Sequence, residues 1–371
     1  MRAGATRKKI ALLIESSRVY GRGVLRGIAI YARTHANWSI YQVERALGDA
    51  PPQWLREWRG DGIIARADTK QLANEIRRLQ LPTVDLSGLF PLPGVPVIET
   101  DDHGVVRLAC DHLLERGFRC FAFCGYAGVG YSERRKTLAA DYLSRRGMTV
   151  SVYETPHRRL ASTPRSESRG VLYERQLGDW LVGLEQPTAV LACNDVRAQQ
   201  ALNVCRERGI QVPDDVAVIG VDNDEVLCEL SDPPLSSVEN DTVRIGQEAA
   251  ALLTRMIDGN PPPHARQIVE PLGIVTRRST DVLAVDDKTV ATALRFIHDH
   301  ACDGIGVGDV VKRVPVSRST LERRFARIVG KSPRAEINRI RIERIKRLLI
   351  DTELKLSVVA RMTGFLHAEY M

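Results

Sequence analysis

The sequence predicts an α/β body built on parallel sheets, followed by a smaller all-α module that carries helix-turn-helix motifs. Three observations predict it. Over the first 275 of 371 residues, short β-type runs alternate with amphipathic helical stretches. Positive charge is concentrated near the end of the chain. In that same region an apolar row at helical spacing follows a break containing Pro315.

Residues 1–8 read as a basic tail. The apolar run at 10–14 is too short for a signal-peptide core, and Glu15 and Arg18 interrupt the residues after it. No apolar run approaches the ~20 residues needed to span a bilayer. The chain is therefore expected to stay in the cytoplasm, away from membranes. Its seven cysteines contain no CxxC pair, which favours reduced, buried thiols over a metal site. No cofactor is expected either.

The strand-like runs of the body are "KIALLI" (9–14), "DGIIA" (61–65), "PTVDL" (82–86), "PVIE" (96–99), "CFAFCG" (120–125), "TAVLAC" (188–193) and "VAVIGV" (216–221). Between several of them lie helical patterns such as "VVRLACDHLLERG" (105–117) and "DVRAQQALNVCRERG" (195–209), each closed by a glycine. A βαβα alternation implies parallel strands covered by helices. In such sheets ligands bind beyond the carboxyl ends of the strands.

The residues at those ends are polar: Glu15, Ser16, Ser17, Arg18 and Tyr20; Asp101 and Asp102; Ser132, Glu133, Arg134 and Arg135; Asn194 and Asp195; Asp222, Asn223 and Asp224. Hydroxyl groups both donate and accept, so carboxylates, amides and guanidiniums together suit a polyhydroxylated ligand. Asn and Asp also cap helices, so the repetition at five strand ends carries more weight than any one position. "GRGVLRG" (21–27) matches a dinucleotide fingerprint only in its first glycines and does not read as a nucleotide site. The paired carboxylates of "TDDHG" and "VDNDE" have no nucleophile–base partner, which argues against an enzyme.

The ordered set "LLERGFRCFAF", "LACNDVRAQQAL", "VPDDVAVIGVDNDE", "PPLSSVENDTVRIGQEAAALL" and "IVTRRST" resembles the sensor domain of LacI/GalR-type sugar repressors. The resemblance implies an α/β two-lobed, periplasmic-binding-protein-like sensor over residues 9–282. Its lobes would be crossed near 119–121, 235–239 and 267–275, with a sugar in the cleft. It further implies that Asn194 and Asp222 hold sugar hydroxyls, with Arg134 or Arg135 beside them and Ser17, Arg18 and Asp101 as lesser candidates. Such repressors carry a DNA-binding headpiece before the sensor, and the first strand here starts near Lys9, so any DNA contact is expected elsewhere.

Between 310 and 350 there are 13 Lys and Arg against 3 Glu. The chain total is +7, so the remainder is mildly acidic, near −3. A basic module of this kind is either a solvated face or a nucleic-acid footprint. Val310, Val311 and Val314 share a helical face, Pro315 breaks it, and Ser317 is placed to cap the next helix. There Leu321, Phe325 and Ile328 form the inner row. Ser319, Arg323 and Arg327 lie opposite, flanked by Arg318, Thr320, Glu322 and Arg324. Such a helix fits the major groove of double-stranded DNA, with Arg323 as base reader and Arg327 as phosphate contact. Beyond it come a long amphipathic helix at 332–351 and a second motif around Gly364.

"VSRSTLERRFARIVGKSP" and "ARMTGF" resemble the AraC/XylS-type DNA-binding domain, over 283–371. A sensor of the first kind followed by a reader of the second resembles the XylR-type regulators. That resemblance implies a homodimeric activator of pentose-catabolism genes that answers to a sugar, D-xylose, which closes the lobes and repositions the readers. It also implies about 20 residues beyond Met371, so the second motif is expected to be incomplete and to fray. The alternatives are a sugar-binding protein that does not touch DNA, or a defective regulator.

Overall fold

The computed structural model describes residues 7–155, 174–262, 265–281, 287–365 and 367–370. Most of the expected basic tail, the 282/283 boundary and Met371 lie outside the described residues. The chain divides into two compact units, Met1–Glu115 with Arg119–Asp281, and Arg116–Phe118 with Val282–Met371.

The first unit contains β1 (Lys8–Leu13), α1 (Val19–His35), β2 (Trp38–Gln42), β3 (Gly62–Ala65), α2 (Lys70–Leu79), β4 (Thr83–Asp85), β5 (Val97–Thr100) and α3 (Asp102–Glu115). It continues through β6 (Cys120–Tyr126), α4 (Gly130–Ser144), β7 (Val150–Thr155), α5 (Glu174–Val182), β8 (Thr188–Ala192) and α6 (Asp195–Arg208). Then come β9 (Val216–Val221), α7 (Glu225–Leu230), β10 (Ser236–Glu239), α8 (Thr242–Ile257), β11 (Arg266–Val269) and β12 (Gly273–Val275).

These strands form two six-stranded sheets, ordered β11-β5-β4-β3-β1-β2 and β12-β10-β9-β8-β6-β7. Every pair is parallel except β10 with β12. The chain changes sheets within 101–119, 240–265 and 270–272.

The unbroken apolar run of β1 follows from burial on both faces. Ile10 and Leu12 pack with Val24 and Ile28 of α1 and with Leu253 of α8. Ala11 and Leu13 face Leu72 and Ile76 of α2. The glycines of "GRGVLRG" have a packing role. A Cβ on Gly27 would lie 2.0 Å from the Val243 carbonyl, and one on Gly246 would lie 2.1 Å from that of Val24. Helices α1 and α8 therefore meet backbone to backbone, which only residues without a side chain permit.

The second unit contains α9 (Lys288–His300), α10 (Val307–Val311), α11 (Arg318–Val329), α12 (Pro333–Asp351) and α13 (Leu356–Met362). Ser317 caps α11 by accepting from the Thr320 amide at 3.4 Å, and Ser332 caps α12 through Ala335 at 3.2 Å. Val310, Val314, Leu321, Phe325, Val329 and Ile337 bury one core with Leu294 and Ile297 of α9. The α10 helix stops at Val311, yet Val314 still reaches that core from the turn. Ile345, Leu348 and Val359 form a smaller cluster, with Phe365 half-buried against it. Gly364 has φ +79°, and a Cβ there would sit 2.7 Å from the Gly304 amide nitrogen, so the turn after α13 requires glycine.

Glu336 of α12 ties this unit together. It is 3% exposed. It accepts from Arg339 at 2.7 Å, pairs with Lys331 at 2.9 Å, and lies 3.5 Å from His298 of α9. Burial pushes its carboxyl up, but hydrogen bonds from His298, Arg339 and Lys331 outweigh that and hold it well below the usual carboxylate range. A depressed folded value contributes stability above the unfolded pKa of about 4.3, and that contribution is lost as the pH falls. Glu336→Gln is expected to destabilise the second unit by about 1–3 kcal/mol at pH 7. In thermal melts followed by circular dichroism, wild type and variant should converge as the pH drops below about 4.5.

Candidate functional site

One cleft of the first unit is lined from both sheets. From the first sheet come Arg18 and Tyr20 after β1, Arg66 and Asp68 after β3, Leu86 and Ser87 after β4, and Glu99 and Thr100 at the end of β5. The second lobe supplies Asp102 at the start of α3, Tyr131, Arg134 and Arg135 on α4, Asn194 and Asp195 after β8, and Asp222 and Asp224 after β9. All of these stand at the carboxyl ends of parallel strands or at the helix starts that follow them, where the topology opens a crevice.

In the first lobe, buried Glu15 forms an ion pair with Arg66. Burial raises the Glu15 carboxyl, and the Arg66 charge opposes that. The Arg66 guanidinium also lies over the Tyr20 ring, 4.6 Å from its centre, and Thr100 donates to the Tyr20 hydroxyl at 3.3 Å. Asp85 anchors the neighbouring loops by accepting from the amides of Ala67 at 3.0 Å and Gly88 at 2.9 Å.

In the second lobe, Asp102 holds both arginines. One carboxylate oxygen accepts from Arg134 Nε and the other from Arg135 Nε, each at 2.8 Å. Arg135 also donates to the Cys193 carbonyl at 2.6 Å. Burial pushes the Asp102 carboxyl up, and the charges of Arg135 and Arg134 more than offset this, so it lies below its ordinary value. Asn194 is both cap and lining residue. Its Oδ1 accepts from the Arg197 amide at 2.9 Å, and its Nδ2 donates to the Tyr131 hydroxyl at 3.1 Å. Asp222 stands at φ +109°, a region that side chains rarely adopt, and accepts from Asn240 Nδ2 at 2.8 Å. Strained backbone of this kind gathers at functional sites.

Asn194, Asp222, Arg134, Arg135 and Arg18 thus converge on one cleft. Ser17 is exposed, and it and Asp101 are not among the lining residues. Asp101 turns to the start of α3, where it accepts from the His103 amide at 3.0 Å. One residue on, a helix start has rotated by about 100°, and Asp102 takes the place in the cleft. Sequence reasoning also passed over Arg66, Asp68, Ser87 and Glu99. They follow or end the runs "DGIIA", "PTVDL" and "PVIE", so the rule applied to the other strands would have found them.

In the second unit, α11 buries Leu321 and Phe325 and turns Arg318, Ser319, Arg323 and Arg327 outward, with Thr320, Glu322 and Arg324 at the margins. Arg318 pairs with Glu322 at 2.9 Å, and Arg324 reaches Asp287 at 3.5 Å. Arg323 and Arg327 lie four residues apart on the exposed face, about 6 Å along the helix axis. Among the described residues, no helix is long and apolar enough to cross a membrane.

Comparison with known proteins agrees with this division. Residues 9–103 match the family described as XylR N-terminal domain, residues 110–280 a periplasmic binding protein-like domain, and residues 310–371 a helix-turn-helix domain. The chain is 34% identical to the xylose operon regulatory protein of Escherichia coli strain K12, over 98% of this chain and 93% of that one. It is 30% identical to the protein of the same description in Haemophilus influenzae, over the same shares. A solved structure described as the xylose-binding transcription activator xylR superposes with a TM-score of 0.76 at 32% identity, covering 99% of this chain and 94% of the other.

Asp195 generates a pH signature for the cleft. It accepts from Ser237 Oγ at 2.6 Å and from the Asp224 amide at 2.7 Å. Burial pushes its carboxyl up to about 8, with Asp222 adding to the rise. The unfolded chain releases this proton near 3.9, so between about 4 and 8 the folded state holds a proton that the unfolded state lacks. The stability from this group therefore falls as the pH rises through that window, by at most about 1.4 kcal/mol per pH unit. Asp195→Asn is expected to flatten the decline in urea-unfolding free energy between pH 5.5 and 7.5.

Proposed function

The chain belongs to the family of xylose operon regulatory proteins, and from that premise we propose that a neutral pentose, D-xylose before others, is the effector held in its sensor cleft. The protein is a DNA-binding transcriptional regulator of xylose genes and not an enzyme. The observation that carries the effector reading is the mixture of charges in the cleft. Arg18, Arg66, Arg134 and Arg135 face Asp68, Glu99, Asp102, Asp222 and Asp224. Cations and anions interleaved in this way satisfy hydroxyls in both directions and repel a ligand with a strong charge of its own.

In this reading Asn194, Asp222 and the Asp102-held arginines take sugar hydroxyls, with Arg18 at the opposite wall. The sugar favours the closed arrangement of the two lobes only so far as it binds that arrangement more tightly than the open one. The helix Arg318–Val329 enters a major groove, Arg323 contacts base edges and Arg327 contacts phosphate. The regulator acts in the cytoplasm as a homodimer, which lets two copies of α11 address two half-sites, and it activates its target genes.

Calorimetry against a panel of aldopentoses tests the effector assignment. D-xylose is expected to bind the wild type, and Asn194→Ala and Asp222→Ala are each expected to weaken it by tenfold or more, about 1.4 kcal/mol. Unchanged binding in both variants removes these residues from the site. For the reader, Arg323→Ala should cost about 1–3 kcal/mol on the specific operator and little on random DNA, whereas Arg327→Ala should weaken both alike. Gel-shift titrations at fixed salt with both DNAs distinguish the two roles.

A further inference from the structure

The first lobe carries a hydrogen-bond acceptor to which the sequence assigned no role. Glu99 lines the cleft and is 5% exposed. Its two carboxylate oxygens are treated differently. Arg266 of the neighbouring strand β11 donates to Oε1 from Nε at 2.5 Å, and its Nη2 pairs with the same atom. Oε2 is buried and has no hydrogen-bond partner among the described residues. Beside it stands Gly88 at φ +58°, where a Cβ would lie 3.3 Å from Oε2.

An ionised carboxylate oxygen can only accept, and leaving one buried and unmatched is costly. A donor that arrives with the ligand, either a hydroxyl or an ammonium, would match it. The hydroxyl is the donor that the sugar-binding reading of the cleft supplies. From this geometry we infer that Glu99 Oε2 accepts a hydrogen bond from one hydroxyl of the sugar, and that Glu99 is a specificity-determining residue which demands an unmodified hydroxyl at that ring position. The inference rests on the sugar-binding reading of the cleft and adds a first-lobe residue to it. The Arg266 pair occupies one oxygen and leaves the other for the ligand.

The test is calorimetry on the full chain with D-xylose and its monodeoxy analogues, comparing wild type with Glu99→Ala, Glu99→Gln and Arg266→Met. Glu99→Ala is expected to weaken D-xylose by about tenfold or more. One monodeoxy analogue should bind the wild type more weakly by a similar factor and bind Glu99→Ala no worse than D-xylose does. Glu99→Gln keeps the shape and carries the test should the alanine variant not fold. Arg266 can only donate, so it claims the amide oxygen and turns the amide NH2 toward the ligand, which should reduce D-xylose affinity several-fold, about three- to tenfold. Arg266→Met removes an ion pair with an exposed partner, leaves Oε2 in place, and should stay within about threefold of wild type.

Equal losses in Arg266→Met and Glu99→Ala overturn the inference, because Glu99 would then serve the ion pair alone. So does a Glu99→Ala loss of the same size for every analogue, or unchanged binding in both Glu99 variants. A wild type that binds no aldopentose overturns the sugar reading and this inference together.

Discussion

Charge held out of water must be matched, and in this sensor the match is the clamp of Asp102 on Arg134 and Arg135. One carboxylate, two guanidiniums and two hydrogen bonds of 2.8 Å bring three charged groups to the wall of a single cleft. Without the carboxylate, a 5%-exposed Arg135 would keep only the Cys193 carbonyl among these partners, and burial of an unpaired cation is costly. With it, both arginines are oriented before any ligand arrives. The other lobe repeats the solution with Glu15 and Arg66. Asp102 with its arginines and Glu15 with Arg66 are each paired within one lobe, so these charges stay matched whether the lobes approach or separate.

The sheets explain why such pairs sit where they do. Strands buried on both faces leave polar groups no place except the strand ends, and the crossovers turn those ends of both sheets toward one crevice. This is why polar tails of the apolar runs line the cleft. Asn194 illustrates both the strength and the limit of those tails as a guide. Its sequence position could mean a helix cap or a ligand contact, and the side chain is in fact a cap through Oδ1 while Nδ2 turns to Tyr131 in the cleft. The two readings were never exclusive, because an amide has a separate atom for each.

Where the sequence fell short, the causes are geometric. Asp101 and Asp102 are adjacent, and no pattern in the chain says which of two neighbouring carboxylates a helix start turns to its own amides and which outward. Arg66, Asp68 and Glu99 follow or end short runs that mark a strand but not how deep its end lies. The glycines of "GRGVLRG" do not read as a nucleotide site, and their packing role appears only once α8 is placed against α1. Gly23 and Gly27 serve a contact with residues more than 200 positions away, which no local pattern encodes. Helix α11 was legible for the opposite reason. Its capping serine, its inner row and its outer row are all local, and the structure keeps each of them except that Val329 completes the buried row more fully than Ile328.

The basic surplus of the second unit is divided among several duties, since a count of charges is not a count of contacts. Arg341 is 9% exposed and donates to the carbonyls of Ala301 and Ile305, so it serves the fold. Lys331 and Arg339 answer to buried Glu336, Arg324 leans toward Asp287, and the Arg313 guanidinium lies over the Phe296 ring. Several of the 13 cations between 310 and 350 are therefore committed before DNA arrives. The outward pair on α11 is not set apart by its charge. It is set apart by position, because the buried row of Leu321, Phe325 and Val329 fixes which way the helix faces, and Arg323 and Arg327 are the side chains that this orientation presents. Specific reading of DNA by this helix would thus depend on its apolar side as much as on its arginines.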